Sequence, residues 1–179
     1  MANTFTLIEA RTLSSATASI EFTSIPQTFT DLKLVLSLRS ARSGSTRDDT
    51  KITINSNTGS IYSGRRMFAS DGTNTSSQGF SGGPGDQLFP GAIPASTATS
   101  NTFSNSEIYF SNYSIAVNKK SMSSDFTYEN NVADNNITGF GAMLFDNTAS
   151  GITTLKIEIL SGNDFTQYSS AYLYGISNS

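Results

Sequence analysis

The sequence predicts an all-β fold: an antiparallel β-sandwich, jelly-roll-like, of about ten short strands, forming a single domain over residues 1–179. Three observations predict it. Residues 32–39 read Leu-Lys-Leu-Val-Leu-Ser-Leu-Arg, with Leu32, Leu34, Leu36 and Leu38 on one face and Lys33, Val35, Ser37 and Arg39 on the other. That is the period-2 alternation of a strand buried on one side. Short runs of the same kind recur along the chain between clusters of Gly, Pro, Asn and Ser, as in sandwiches and barrels. No stretch carries a convincing amphipathic helical period, and no repeat of roughly 20–50 residues is visible, which argues against propellers and solenoids.

The elements follow in order. Residues 5–9 form a short apolar strand, and 14–19 a small polar connection. Ala18, Ile20 and Phe22 alternate in a second strand. Ser24-Ile25-Pro26-Gln27 turns the chain, because proline fixes its own backbone and pushes its predecessor to an extended shape. The leucine strand comes next. Residues 40–50, polar and carrying Arg42, Arg47, Asp48 and Asp49, read as a loop. Residues 51–55 alternate with Ile52 and Ile54 inward, Asn57-Thr58-Gly59 turns, and 61–69 is a strand bearing Arg65 and Arg66. Residues 70–100 are rich in Gly, Ser and Pro and read as one long irregular loop, of the kind that is functional or mobile. Order returns at 102–112 with Ile108 and Phe110, and at 119–128, where Met122, Phe126 and Tyr128 share a face. Residues 129–136 are an Asn/Asp-rich turn. Residues 138–146 are apolar on both faces around Met143 and Leu144 and predict a strand buried on both sides. After a turn at 147–151, Leu155, Ile157 and Ile159 alternate with Lys156 and Glu158, and 171–176 closes the chain with Ala-Tyr-Leu-Tyr-Gly-Ile.

Composition narrows the chemistry. Charged residues make up 14% of the chain and the net charge is −3, but 12 Phe and 7 Tyr place it well outside the disordered class. There is no Cys, which excludes disulfides, cysteine–metal sites and cysteine nucleophiles. There is no His, so a Ser-His-Asp triad or a histidine zinc site cannot form within one chain. Residues 1–7 do not read as a signal peptide, and no apolar run is long enough to span a membrane.

Several groups of residues could carry chemistry. Asp48 with Asp49, or Glu107 with Asp125 and Glu129, would suit glycoside hydrolysis if two of the carboxylates lay a few ångströms apart; scattered strand and loop charge is the simpler reading. Gly82-Gly83-Pro84-Gly85 lacks the Lys-Ser/Thr and helix of a phosphate loop. Asn130, Asn131, Asp134, Asn135 and Asn136 offer hard oxygens without the spacing of a calcium loop, and such residues gather in ordinary turns. Eight of the eleven Lys and Arg residues precede residue 67, among them Arg39, Arg42, Arg47, Lys51, Arg65 and Arg66. At a pI near 4.8 this reads as a solvated face or a contact with an acidic neighbour rather than a nucleic-acid surface. The acceptor patterns at Asn74, Asn112 and Asn136 match N-glycosylation by composition alone. Tyr109, Tyr113, Tyr172 and Tyr174 read as an exposed set able to stack on sugars or fill an interface.

Two stretches carry a resemblance. One runs from Thr6-Leu-Ile-Glu-Ala-Arg-Thr-Leu-Ser-Ser through Phe22-Thr-Ser-Ile-Pro-Gln-Thr-Phe-Thr-Asp-Leu-Lys-Leu to Leu36-Ser-Leu-Arg-Ser; the other is Tyr168-Ser-Ser-Ala-Tyr-Leu-Tyr-Gly-Ile. With Ile93-Pro-Ala and Asn101-Thr-Phe-Ser they resemble small β-rich virion proteins of tailed phages, notably those of aquatic and cyanobacterial hosts. The resemblance implies a non-enzymatic particle component in the virion, assembled in the host cytoplasm. It carries over no catalytic, cofactor-binding or metal residues. The expected role is a capsid decoration or cement protein; a neck or tail-fibre appendage, or a carbohydrate-binding module for host recognition, is the alternative. The expected partners are further copies of the chain, as a homotrimer, and the major capsid protein or other virion proteins, with neither nucleic acid nor membrane.

Overall fold

The computed structural model of the chain describes residues 4–70, 74–81, 90–131 and 136–177. These form twelve strands: β1 (Phe5–Thr12), β2 (Ser19–Phe22), β3 (Asp31–Ser37), β4 (Arg47–Ile54), β5 (Tyr62–Ser70), β6 (Asn74–Ser81), β7 (Ala92–Pro94), β8 (Asn105–Phe110), β9 (Lys120–Tyr128), β10 (Ile137–Phe145), β11 (Leu155–Ile159) and β12 (Ser170–Ile176). They pair into an eight-stranded sheet of order β1-β12-β3-β8-β9-β10-β5-β6 and a four-stranded sheet of order β2-β11-β4-β7. Among the described residues no helix is long and apolar enough to cross a membrane.

The strand order has a simple derivation. Set aside the hairpins β5–β6 and β9–β10, and the remaining strands pair outermost to innermost: β1 with β12, β2 with β11, β3 with β8 and β4 with β7. That is one long antiparallel hairpin rolled up on itself, the winding of an eight-stranded double-sheet roll. The two set-aside hairpins both add to the same side of the larger sheet, beyond β8. One sheet is therefore twice as wide as the other, and the small sheet covers only part of it.

The leucine strand behaves as its pattern dictates. Leu32, Leu34 and Leu36 are buried between the sheets, and Leu38 follows just past the end of β3. The small sheet answers with Ile20, Phe22, Ile52, Ile54, Leu155 and Ile157. Each side chain of this kind contributes roughly 1.5–3 kcal/mol when taken fully out of water. A second, smaller cluster of Ala92, Phe126, Tyr128 and Ile137 sits where β7 overlies the added strands. Gly91 makes that overlap possible: with φ +146° it runs directly against the Phe126 ring, where a Cβ would lie 2.4 Å from the ring.

Two expectations are corrected here. The segment 40–50 is not all loop, because β4 begins at Arg47. Its early residues pair with β7 and its later ones with β11, so Ile52 and Ile54 extend a strand that starts in polar sequence. Nor is 70–100 one irregular loop: it contains β6 and β7, the two strands beyond the expected ten. β6 is polar because it is an edge strand that pairs only with β5, and edge strands need no alternating apolar face. The Gly82-Gly83-Pro84-Gly85 stretch lies outside the described residues.

The third correction concerns β10. Its apolar sequence predicted burial on both faces, yet Ile137, Met143 and Phe145 are buried while Phe140 is 60% exposed. The described residues cover one face of this strand only.

Candidate functional site

The carboxylate candidates separate cleanly. Asp48 and Asp49 are adjacent in β4 and so point to opposite sides of it. Asp48 is buried and accepts hydrogen bonds from Ser40 Oγ at 3.0 Å and Ser161 Oγ at 2.6 Å, with Arg42 at 3.5 Å. It ties residue 40 to residue 161 and is saturated by that work. Asp49 faces Arg66 at 3.9 Å. Glu107 and Asp125, by contrast, are register partners on β8 and β9. Directly opposed residues place their Cβ atoms about 4.5–5.5 Å apart. Both stand on the outer face of the large sheet, flanked by shallow depressions lined by Lys33, Tyr109 and Ser123 on one side and Asn105, Thr127 and Thr138 on the other. Lys33 reaches Glu107 at 2.6 Å and offsets the like-charge repulsion. Glu129 is elsewhere, accepting from the Asn131 amide at 2.8 Å. Among the described residues no three Asp or Glu side chains are grouped to hold a metal ion.

The basic cluster disperses. Arg39 is not on a solvated face: its guanidinium turns inward and donates to the backbone carbonyls of Ala95, Ala98, Thr99 and Thr102 at 2.8–3.1 Å. Burial pulls it below its ordinary value, with Tyr128 acting in the other direction. Lys51 pairs with Glu158 at 3.8 Å. Arg47 is exposed at one end, and Arg65 lies on the outer sheet face. No two of these make a common patch with Arg39.

The remaining candidates also resolve. Asn130 is buried and donates to the Tyr128 hydroxyl at 3.2 Å, while Asn136 accepts from the Asn130 amide at 3.0 Å. Their oxygens and amides serve the turn; Asp134 and Asn135 lie outside the described residues. Of the glycosylation patterns, Asn112 is exposed, Asn136 is half-buried, and the Asn74 side chain lies outside the described residues. Of the tyrosines, Tyr109 is 37% exposed, Tyr172 and Tyr174 are half-buried, and Tyr113 is wholly buried, its hydroxyl donating to the Pro26 carbonyl. Tyr113 belongs to the core rather than to an exposed set. The Tyr109 hydroxyl donates to Asp31, and that hydrogen bond, with burial and the Asp31 charge, pushes it up to about 12.

The most built feature on the surface is one the sequence reading passed over. The segment 111–119 joins β8 to β9 and is anchored from below at both ends. Tyr113 holds one end in the core, with its carbonyl accepting from the Ile152 amide at 2.9 Å. Lys120 holds the other: it is fully buried, and its ammonium donates to the carbonyls of Ile115, at 2.8 Å, and Asn118. Burial lowers its pKa, the cost of placing a charge where no carboxylate among the described residues meets it. What this machinery presents outward is apolar: Ile115 is 43% and Val117 77% exposed. The signal in the sequence was an Ile-Ala-Val triplet set in a Ser/Asn turn and followed, after Asn118, by Lys119-Lys120.

No protein-family model matches the chain, and no curated protein matches it.

Proposed function

We propose that the chain is a non-enzymatic structural component of a tailed-phage particle, carried on the virion exterior as a capsid decoration or cement protein. The observation that carries this reading is the 111–119 loop. A rigid loop with exposed apolar tips loses little conformational freedom when it docks, and here a buried lysine is committed to keeping it rigid. Ile115 and Val117 are the side chains that enter an apolar recess on the major capsid protein, with the exposed Lys119 beside them. The resemblance to small β-rich virion proteins supports the same assignment. So does the use of the chain's polar equipment: Arg39, Lys120 and Asp48 are each occupied in holding backbone or loops.

The test is loading onto particles. Purified chain mixed with empty capsids, read by mass photometry, is expected to reach a fixed stoichiometry. The double change Ile115→Asp and Val117→Asp is expected to reduce occupancy at least tenfold with an unchanged melting curve. Equal occupancy by the variant sinks the docking role of this loop. A chain that ignores capsids altogether moves the assignment to a neck or tail-fibre appendage.

A further inference from the structure

The outer face of the large sheet carries an apolar patch that the described residues leave uncovered. Phe140 on β10 is 60% exposed and its register partner on β5, Met67, is 42% exposed. Ala142 and Ala69 stand exposed on the same face. This explains the mismatch in β10, whose sequence has the composition of a strand covered on both sides.

The charges around the patch say what covers it. On the β9 side, Phe140 is registered with Asp125. Asp125 is exposed, and its carboxylate has no hydrogen-bond or ion-pair partner among the described residues. On the β5 side, one outward position along from Met67, stands Arg65. It is exposed, donates to Ser77 Oγ at 3.1 Å, and meets no carboxylate among the described residues. Its guanidinium lies across β6 at Gly79, where a Cβ would sit 3.1 Å from Nη2. Asp125 and Arg65 are two strands apart, about 10 Å, and offset by about 7 Å along the strands, so they do not pair within one chain.

We propose that a second copy of this chain covers this face, related by a two-fold axis running along β10 past Phe140. That axis carries β9 of one copy over β5 of the other. Phe140 then meets its own copy on the axis; Asp125 lies over the partner's Met67, and the partner's Arg65, one outward position along, spans the offset of about 7 Å with its long side chain. The strands of the two copies stay aligned, as in face-to-face sheet packing. An unrelated partner would not need opposite charges on the two strands that flank an apolar centre; an isologous contact does. The axis overlaps the five strands from β8 to β6. About 4.8 Å apart and covered over about 20 Å of their length, they offer about 480 Å² per partner, about 1,000 Å² in total and at the low end for a specific contact. Such a contact closes at two chains, so the solution particle is even-numbered where the sequence reading expected a trimer. This inference is independent of the capsid assignment.

Sedimentation equilibrium of the full chain tests it. The chain is expected to be a dimer, or a dimer of dimers. Phe140→Asp is expected to weaken association at least a hundredfold. Arg65→Asp and Asp125→Arg are each expected to weaken it about tenfold, and the double swap R65D/D125R to restore it. All three positions of change are solvent-exposed, and the melting curve of each variant reports that the fold is intact. A monomer at tens of micromolar, a trimer, a dimer indifferent to Phe140→Asp, or a double swap no better than the singles overturns the proposal.

Discussion

Two buried cations do the same chemical job at opposite ends of this sandwich, with opposite results. Arg39 reaches from the end of β3 into the 95–102 segment and donates to four of its carbonyls. Lys120, at the start of β9, donates to the carbonyls of Ile115 and Asn118. Neither meets a carboxylate among the described residues. The Arg39 loop folds inward: Ala95 is wholly buried and Ala98 nearly so. The Lys120 loop turns its apolar side chains outward, at Ile115 and Val117. A cation on carbonyls fixes a backbone without deciding where its side chains go. One loop completes the core; the other is held ready for something outside the chain.

The comparison can be broken most forcefully at Arg39. Arg39→Met takes a donor from four carbonyls. Ala95 keeps the Ala98 amide and Thr99 keeps the Thr102 amide and hydroxyl. With about 1–3 kcal/mol for each of the carbonyls of Ala98 and Thr102, the loss is expected to reach about 3 kcal/mol. Urea unfolding of the variant measures it; a loss under about 1 kcal/mol would mean that water replaces the guanidinium.

Lys120→Met probes the other end. Two charge-assisted bonds disappear, but the burial cost of the ammonium disappears with them, so a net loss of about 2 kcal/mol is expected. Amide exchange should quicken at 115–118 and stay unchanged at 95–102. Equal quickening of both loops would show that the two ends are not independently held.

Tyr62 supplies an uncharged version of the same device and sharpens the contrast by pH. Its hydroxyl donates to the Asn57 carbonyl at 2.8 Å and accepts from the Ile54 amide at 3.0 Å. Burial pushes it up to about 12 from an ordinary 10.0, against a smaller opposing contribution from the Ile54 backbone. The neutral form is favoured in the folded chain, so its contribution is full below pH 10 and is lost as pH rises from 10 towards 12. Lys120 acts in the opposite sense, since its lowered value makes its burial cost shrink as pH approaches 10.5. Tyr62→Phe is therefore the control. It is expected to cost about 1 kcal/mol at neutral pH and to unfold less steeply than the parent between pH 10 and 12. Parallel alkaline melting curves would remove Tyr62 from the account.

The strands that alternate were legible because period 2 is a local property. Leu32 to Leu38, Met122 to Tyr128 and Leu155 to Ile159 each name their buried face in their own residues. β6 was not legible, since an edge strand of Ser, Thr and Gln has no pattern to display. Glu107 and Asp125 were visible as candidates but not as neighbours, because register across β8 and β9 is set by pairing, not by spacing along the chain. Arg39 was misread for a related reason: four carbonyls some 60 residues downstream make an inward arginine stable, and nothing near residue 39 announces them.

The sequence by itself determined the all-β class, the principal strands with their inner faces, and the absence of histidine and cysteine chemistry, since each follows from residue type and local period. Only the tertiary structure decided that two hairpins widen one sheet, that Asp48 and Arg39 are buried, and that β10 and the 111–119 loop show apolar surface to the outside. Those outcomes depend on which strand lies against which, and a charge or an apolar side chain takes its meaning from what the chain brings to meet it.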